Sequence, residues 1–214
     1  MLLSQKVQAI EEVFSLLDQD ISTFQGWSGL SCKVGCGKCC TKADIEATVL
    51  EFIPFAHYVY HANEAAAWLA KLDGYPDDIC LFFNPTHVGG GLCTQYPHRG
   101  LICRLFGFSA RTNKYSKREF VTCTTIKTEQ TASYAGALAS VETGAFVPVM
   151  NNYYMRLHAI DAELGAAFPV EYQVHFFYRN AVAEAGHLVH DLAGDGHCLG
   201  STDGLGEEEQ GDVV

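Results

Sequence analysis

The sequence has no apolar run long enough to cross a membrane. A transmembrane helix needs about 18 or more consecutive apolar residues, and no stretch of this 214-residue chain approaches that length. The first six residues, MLLSQK, also lack the basic start and the apolar centre of a signal peptide. We therefore expect no membrane association and a cytoplasmic location, in which cysteines stay reduced.

Basic residues are scarce compared with acidic ones. The chain has 14 Lys and Arg against 25 Asp and Glu, a net charge of −11, which argues against nucleic acid as a partner because nucleic-acid binding requires a basic surface. An apolar content of 48% with 18% charged residues indicates a globular chain, not a disordered one. No internal repeat is present that would indicate a solenoid.

Cysteine, in contrast, is abundant, with nine residues in the chain. The first four fall within nine residues at the spacing Cys-x3-Cys-x2-Cys-Cys: Cys32, Cys36, Cys39 and Cys40. Thiolates are soft anionic ligands that converge readily on a metal from a short loop. Gly35 and Gly37 can adopt positive φ and let the backbone curl its N–H groups toward the sulfurs. We interpret this loop as metal-binding; the alternative is a group of free or disulfide-bonded cysteines.

Four further cysteines complete the predicted ligand set: Cys80, Cys93, Cys103 and Cys123. Eight thiols exceed the four of one zinc site, so they predict two zinc sites, one iron–sulfur cluster with spare cysteines, or two clusters. We favour an iron–sulfur cluster, preferably 4Fe–4S, with zinc as the alternative. Neighbouring side chains diverge in extended backbone, so Cys39 and Cys40 are expected to bind different metals or different irons of one cluster, or only one of them is a ligand. Cys198 is interpreted as a free thiol.

Cations are concentrated near these cysteines and are expected to offset thiolate charge. For three of them, Lys114, Lys117 and Arg118, a solvated basic face is the alternative. The histidine pair His57 and His61 lies four residues apart on a predicted helix, but without an acidic metalloprotease signature we interpret both as ordinary histidines. The ten basic residues close to cysteines are Lys33, Lys38, Lys42, Arg99, Arg104, Arg111, Lys114, Lys117, Arg118 and Lys127.

The cysteine region resembles the zinc- or iron-chelating cysteine-cluster family, known as CxxCxxCC or YkgJ-type. After the first cluster, the family pattern is matched by Cys80, Phe82, Cys93, Tyr96, Arg99, Cys103, Arg104 and Phe106. Gly100 replaces the usual proline and Phe83 a common leucine. The resemblance implies metal ligation by the cysteines, with Tyr96, Arg99 and Arg104 around the ligands. We expect at least one of the two arginines to lie beside thiolates or a carboxylate.

One branch of that family is similar to flagellin lysine N-methylases. This implies S-adenosylmethionine-dependent protein N-methyltransferase-like activity as an alternative function. No methyl-donor site is evident in the sequence, and the glycine run at residues 89–91 is a weak candidate for a nucleotide loop because it does not lie between a clear strand and helix.

The predicted fold is mainly α, with helices at both ends of an irregular cysteine-rich middle segment. Apolar periodicity predicts helices over residues 5–24, from residue 42 to Pro54, and over 57–72, 149–164 and 171–192, with a short strand at 119–122. We assign residues 1–193 to one metal-binding domain, its cysteine-rich part at 32–123 and its helical part at 140–193. Residues 194–214, glycine-rich and acidic, are predicted to be a disordered tail.

The sequence thus predicts a cytoplasmic metal-binding protein that carries an iron–sulfur cluster in a redox, sensing or protein-modification role. The first alternative is a zinc-stapled structural or interaction module without chemistry of its own. A protein partner or substrate is expected but not identified. No catalytic residue can be assigned, so enzymatic activity stays open.

Overall fold

The computed structural model describes residues 1–42, 45, 47–73, 75, 79–87 and 90–165. Within these residues the fold is mainly α, as predicted. The α-helices are α1 (Leu3–Ser28), α2 (Ile53–His61), α3 (Ala65–Asp73), α4 (Leu101–Leu105), α5 (Thr124–Glu129), α6 (Thr131–Glu142) and α7 (Met150–Ile160). Two antiparallel hairpins pair β1 (Phe83–Pro85) with β2 (Gly91–Cys93) and β3 (Ser109–Thr112) with β4 (Arg118–Val121). Short 3₁₀ turns cover Lys38–Thr41, Val49–Phe52 and Tyr96–His98.

Helix α1 is the longest described element, with 26 residues. Its apolar side chains recur every three or four residues and are buried against α2, α4, α6 and α7. It ends at Gly29, whose φ of +68° suits the left-handed C-cap and whose N–H donates to the Gln25 carbonyl. The predicted helix over residues 5–24 is confirmed and is longer at both ends. Among the described helices, none combines the length and apolarity that crossing a membrane requires.

The predicted helix from residue 42 to Pro54 is wrong at its described positions, because residues 47 and 48 are irregular and Pro54 lies at the start of a helix, not at its end. Pro54 lies in the first turn of α2, where its missing N–H would have no partner in any case. The helix predicted over residues 57–72 is divided into α2 and α3, because the chain turns at Asn63, whose φ is +58°. The segment before α2 forms a 3₁₀ turn at Val49–Phe52.

The middle segment is less irregular than predicted. It contains both hairpins, α4 and α5, and it contributes buried side chains to the hydrophobic core formed by α1, α2 and α7: Leu81, Phe82, Leu101, Leu105 and Phe108. Apolar burial therefore anchors parts of this segment independently of any metal.

The C-terminal part of the described chain packs on the second hairpin. Strand β4 confirms the strand predicted at residues 119–122, and α7 confirms the helix predicted at 149–164. Ala110 of β3 bridges to Val149 just before α7, and the Ala110 N–H donates to the Pro148 carbonyl at 2.7 Å. Helix α6 was not predicted. The predicted helix at 171–192, the predicted tail at 194–214 and Cys198 lie outside the described residues.

Candidate metal centre

The first four cysteines lie on the loop that follows α1. Gly35 and Gly37 have φ values of +72° and +57°, as predicted from their lack of a Cβ atom. Gly37 begins the 3₁₀ turn Lys38–Thr41, and its carbonyl accepts the Cys40 N–H at 2.9 Å. Because Cys39 and Cys40 lie in this turn and not in extended backbone, their Sγ atoms are only 3.9 Å apart. The expectation that their side chains diverge was wrong.

The β1–β2 hairpin holds the loop in place. The Gly91 N–H donates to the Gly35 carbonyl at 2.9 Å, and the Cys80 N–H donates to the Cys40 carbonyl at 2.8 Å. A Cβ atom on Gly37 would lie 2.4 Å from the Phe83 ring, so the close approach of loop and hairpin requires glycine there. The same contact brings Cys80, before β1, and Cys93, the last residue of β2, to the cysteine loop.

Two short helices supply the remaining cysteines. Cys103 lies in the middle of α4. Cys123 is the N-cap of α5, and its Sγ accepts the Ile126 N–H at 3.4 Å. Thr125 of the same helix places its hydroxyl oxygen 4.0 Å from the Cys36 sulfur, so α5 lies against the cysteine loop. None of the eight described cysteines forms a disulfide bond.

The electrostatic couplings among the sulfurs define two groups. In the first, partial burial and then the charges of Cys39, Cys36 and Cys123 raise the pKa of Cys32. Cys36, Cys39 and Cys123 therefore lie within electrostatic reach of Cys32. We call them the first thiol set: Cys32, Cys36, Cys39 and Cys123.

The remaining four cysteines form the second thiol set: Cys40, Cys80, Cys93 and Cys103. Burial and then the charge of Cys80 raise the pKa of Cys103, and burial, opposed by a backbone N–H from Gln95, raises that of Cys93, again with Cys80 as a neighbour. Cys40 hydrogen-bonds Cys39 and Cys80. Cys39 of the first set also acts on Cys93 and Cys103, so the two sets overlap at the adjacent residues Cys39 and Cys40.

Cys39 is the thiol most ready to ionise. The hydrogen bond from Cys40, supported by backbone N–H groups, lowers the pKa of Cys39 to about 6 against the opposing effect of burial. The same contact raises the pKa of Cys40, because Cys40 supplies the proton. Before any metal binds, the pair thus holds one thiolate and one thiol at neutral pH, and metal binding would displace the second proton.

Arg99 is the cation that faces the thiols. Its positive charge acts to lower the pKa of four of them: Cys32, Cys39, Cys93 and Cys103. Its guanidinium lies 3.6 Å from the centre of the Tyr96 ring, and its Nε donates to the Tyr96 carbonyl at 3.1 Å. Tyr96 therefore positions the arginine that offsets thiolate charge.

Arg104 points away from the sulfurs. It is buried against α1, where it pairs with the Asp18 carboxylate and lies over the Phe14 ring. Its other N–H groups donate to the carbonyls of Pro97 and Arg99, at 2.8 and 3.0 Å. Arg104 thus contacts a carboxylate, as expected for at least one of the two arginines, and fixes the loop that carries Arg99.

Glu51 is a buried carboxylate that the sequence analysis did not select. Its two oxygens accept the N–H groups of Thr48 and Ile102, at 2.9 and 2.8 Å, which joins the 3₁₀ turn to the start of α4 beside Cys103. Burial raises its pKa to about 7 despite these donors. The pattern Thr48-x-x-Glu51, a capping box ahead of an apolar run, was the signal that could have identified it.

The thiols suit a metal chemically, although their sulfurs are not arranged around one ion position. Among the described residues, no three His, Cys, Asp or Glu side chains have the arrangement of ligands to one ion. The Cys39–Cys40 spacing of 3.9 Å is nevertheless close to the ~3.8 Å expected for two sulfurs on one tetrahedral ion with metal–sulfur bonds of about 2.3 Å. Movements of the other side chains would complete a site.

A loop, a hairpin and two short helices thus bring eight thiols together within a mainly α fold. Residues 31–129, slightly under half of the chain, match the CxxCxxCC family model, whose description is "Putative zinc- or iron-chelating domain". The resemblance noted from the cysteine spacing is thereby confirmed. No curated protein and no solved structure matches the chain.

Proposed function

We propose that the protein carries an iron–sulfur cluster, preferably 4Fe–4S, and that it works in the cytoplasm in electron transfer or redox sensing. The observation that carries this proposal is the grouping of eight thiols, none of them in a disulfide, by a loop, a hairpin and two short helices. The pKa of one of them, Cys39, is lowered to about 6. Four cysteine thiolates are the usual ligands of such clusters, which supply one-electron chemistry when bound.

The surroundings of the thiols support this choice. Thiolate-ligated iron carries net negative charge, and its reduction potential depends on nearby charge and on hydrogen bonds to sulfur. Arg99 supplies a cation to four of the thiols. The Ile126 N–H supplies a donor to Cys123, and the Gln95 N–H one to Cys93.

Exposed apolar side chains beside the thiols support a protein partner. Val34, Leu92 and Tyr96 lie next to cysteines in sequence and are 93%, 50% and 58% exposed. Cys32 is also exposed. Apolar side chains at the rim of a redox centre are suited to a transient contact, within which electrons would pass over a short distance.

Zinc is the second candidate, because one specific distance favours it. The Cys39 and Cys40 sulfurs are spaced as two ligands of one tetrahedral ion would be. Because these two sulfurs come one from each thiol set, a zinc ion on both would join the sets and hold the loop to the hairpin and to α5. In that case the protein would be an interaction module without redox chemistry.

No observation on the described residues favours the third alternative, an S-adenosylmethionine-dependent N-methyltransferase. The glycine-rich turn considered as a nucleotide loop has a packing role at its described positions. Gly90 has a φ of +92°, and a Cβ atom there would lie 2.5 Å from the Gly35 carbonyl oxygen. Gly90 therefore allows the hairpin to approach the cysteine loop.

Anaerobic purification of the full chain separates the two candidates. We expect brown protein whose visible absorption comes from sulfur-to-iron charge transfer. It should contain iron and acid-labile sulfide in equal amounts and give an EPR signal after reduction. Colourless protein that contains zinc and no labile sulfide would overturn the iron–sulfur proposal in favour of the zinc module. Protein that retains neither metal after reconstitution with each would overturn both.

A further inference from the structure

Two histidines on α2 face each other at the spacing of a chelating pair. His57 and His61 are one helical turn apart, and their Nε2 atoms are 3.0 Å apart. Their ring centres are 4.3 Å apart with an interplanar angle of 62°. His61 is exposed and His57 partly so, so an ion could reach both nitrogens from solvent.

The position of the pair favours a cation. His61 is the last residue of α2, where the unpaired carbonyls give the helix its negative end. The Glu11 carboxylate of α1 is close enough to act on His57 and on His98. The C-terminal end of the helix and the Glu11 carboxylate together provide a negative environment beside the two imidazole ligands.

We propose that His57 and His61 form a bidentate imidazole site for a divalent transition-metal ion such as Zn²⁺, Ni²⁺ or Cu²⁺. Two histidines at i and i+4 on one helix face bind one ion in helix-borne metal sites, and imidazole is a preferred ligand of these metals. Two metal–nitrogen bonds of about 2.0–2.1 Å in tetrahedral geometry place the nitrogens ~3.3 Å apart, close to the observed spacing.

The site is distinct from the thiol sets and has a different character. Within the described part of the chain no third His, Cys, Asp or Glu joins the pair in a ligand arrangement, so water would complete the coordination shell. An ion held by two imidazoles and water exchanges readily, in contrast with one held by four thiolates. The site nevertheless adjoins the segment between Cys93 and Cys103, because Tyr58 of α2 stacks on His98 of that segment with 4.3 Å between the ring centres.

Calorimetric titration with Ni²⁺ tests the proposal on untagged, full-length protein whose thiols already hold their metal. We expect one additional equivalent of Ni²⁺ to bind, and the affinity to fall at least about tenfold in both His57→Ala and His61→Ala, since either change leaves a single imidazole. His158→Ala, at an exposed position on α7, should bind as the parent protein does.

Absence of the extra equivalent, retention of full affinity by either variant, or equal loss in His158→Ala would each overturn the proposal. The competing interpretation, a hydrogen bond between two neutral imidazoles, predicts no Ni²⁺-dependent shift of the His57 and His61 ring ¹⁵N resonances. Far-UV circular dichroism checks that the variants fold. If the thiols hold no metal in the parent protein, the same titration on alkylated protein still tests the histidine pair, so the two proposals fail separately.

Discussion

Cys40 occupies the point at which the two thiol sets meet. Its sulfur contacts that of Cys39, and its carbonyl accepts the Cys80 N–H, so it joins the loop to the hairpin through both side chain and backbone. Truncation of the side chain removes the sulfur contact with Cys39 and leaves the backbone hydrogen bond from Cys80. This makes Cys40 the most informative single thiol to replace.

We predict partial or complete metal loss in Cys40→Ala, measured as metal per protein after anaerobic purification. Loss of about half the metal would indicate two centres joined at Cys39 and Cys40, and complete loss a single centre. Cys198→Ala is the matched control, because no other cysteine lies near Cys198 in sequence, and it should keep the full metal content. Equal metal content in the two variants would show that the ligand set is wrong.

Arg99 and Arg104 belong to the same motif but face opposite sides of one loop. For Arg99→Gln we predict that the pKa of Cys39 rises above its value of about 6, because a cation that favours the thiolate is lost. The measurement is the pH dependence of thiol alkylation in metal-free protein. Arg99→Lys, which keeps the charge, should retain most of the effect.

Arg104→Gln provides the contrast to that experiment. It breaks the pair with Asp18, whose side chain is about half exposed, and it removes donors from the carbonyls of Pro97 and Arg99. We therefore expect it to lower the free energy of unfolding by about 1–3 kcal/mol. The pKa of Cys39 measured by alkylation should be unchanged in this variant. A shift as large as that of Arg99→Gln would contradict the assignment of different roles to the two arginines.

At the scale of elements, Glu51 links the 3₁₀ turn Val49–Phe52 to α4. Both of its oxygens accept backbone N–H groups, from Thr48 and Ile102. An amide would present N–H₂ to one of these donors, so we predict that Glu51→Gln lowers the free energy of unfolding by about 1–3 kcal/mol. Chemical denaturation at pH 5, where the carboxyl group is largely protonated, measures this effect. Glu142→Gln, the same change at an exposed position at the end of α6, is the control.

The same residue predicts a pH dependence whose sign is fixed by its pKa. Burial raises the pKa of Glu51 from 4.5 to about 7, so between these values the folded protein keeps a proton that the unfolded chain has lost. Stability therefore falls as pH rises through this window, by up to about 3 kcal/mol at about 1.4 kcal/mol per pKa unit. In Glu51→Gln this component of the fall should be absent. An unchanged slope between pH 5 and pH 7 would contradict the assignment.

Elements with a strong local pattern were predictable from the sequence. The apolar spacing along α1 and the β-forming residues of β4 are properties of a few neighbouring residues, and both elements occur where predicted. The division of α2 from α3 was not predictable from periodicity, because it depends on a positive φ at Asn63. Pro54 is compatible either with ending a helix or with starting one, and only the packing of α2 decides between them.

At the scale of the whole molecule, the eight cysteines were identifiable from sequence but their grouping was not. Cys36 and Cys123 lie in the same thiol set because Thr125 of α5 packs on the cysteine loop, and Cys40 and Cys80 share the other through a backbone hydrogen bond. Such contacts join residues about 40 to 90 positions apart, and no local pattern encodes them. The close approach of the Cys39 and Cys40 sulfurs was also not predicted, because extended backbone was assumed where the chain forms a 3₁₀ turn.

Two kinds of support hold the cysteine-rich segment, and metal removal should separate them. Leu101, Leu105 and Phe108 are buried in the core beside α1, whereas residues 32–41 contribute no buried side chain. With the structure, we predict that chelation increases amide hydrogen exchange in residues 32–41 and 90–93, where the loop and hairpin meet, and leaves residues 101–110 protected. Uniform loss of protection across both regions would show that metal binding and core packing form one cooperative unit, and no change in either would show that metal does not stabilise the loop.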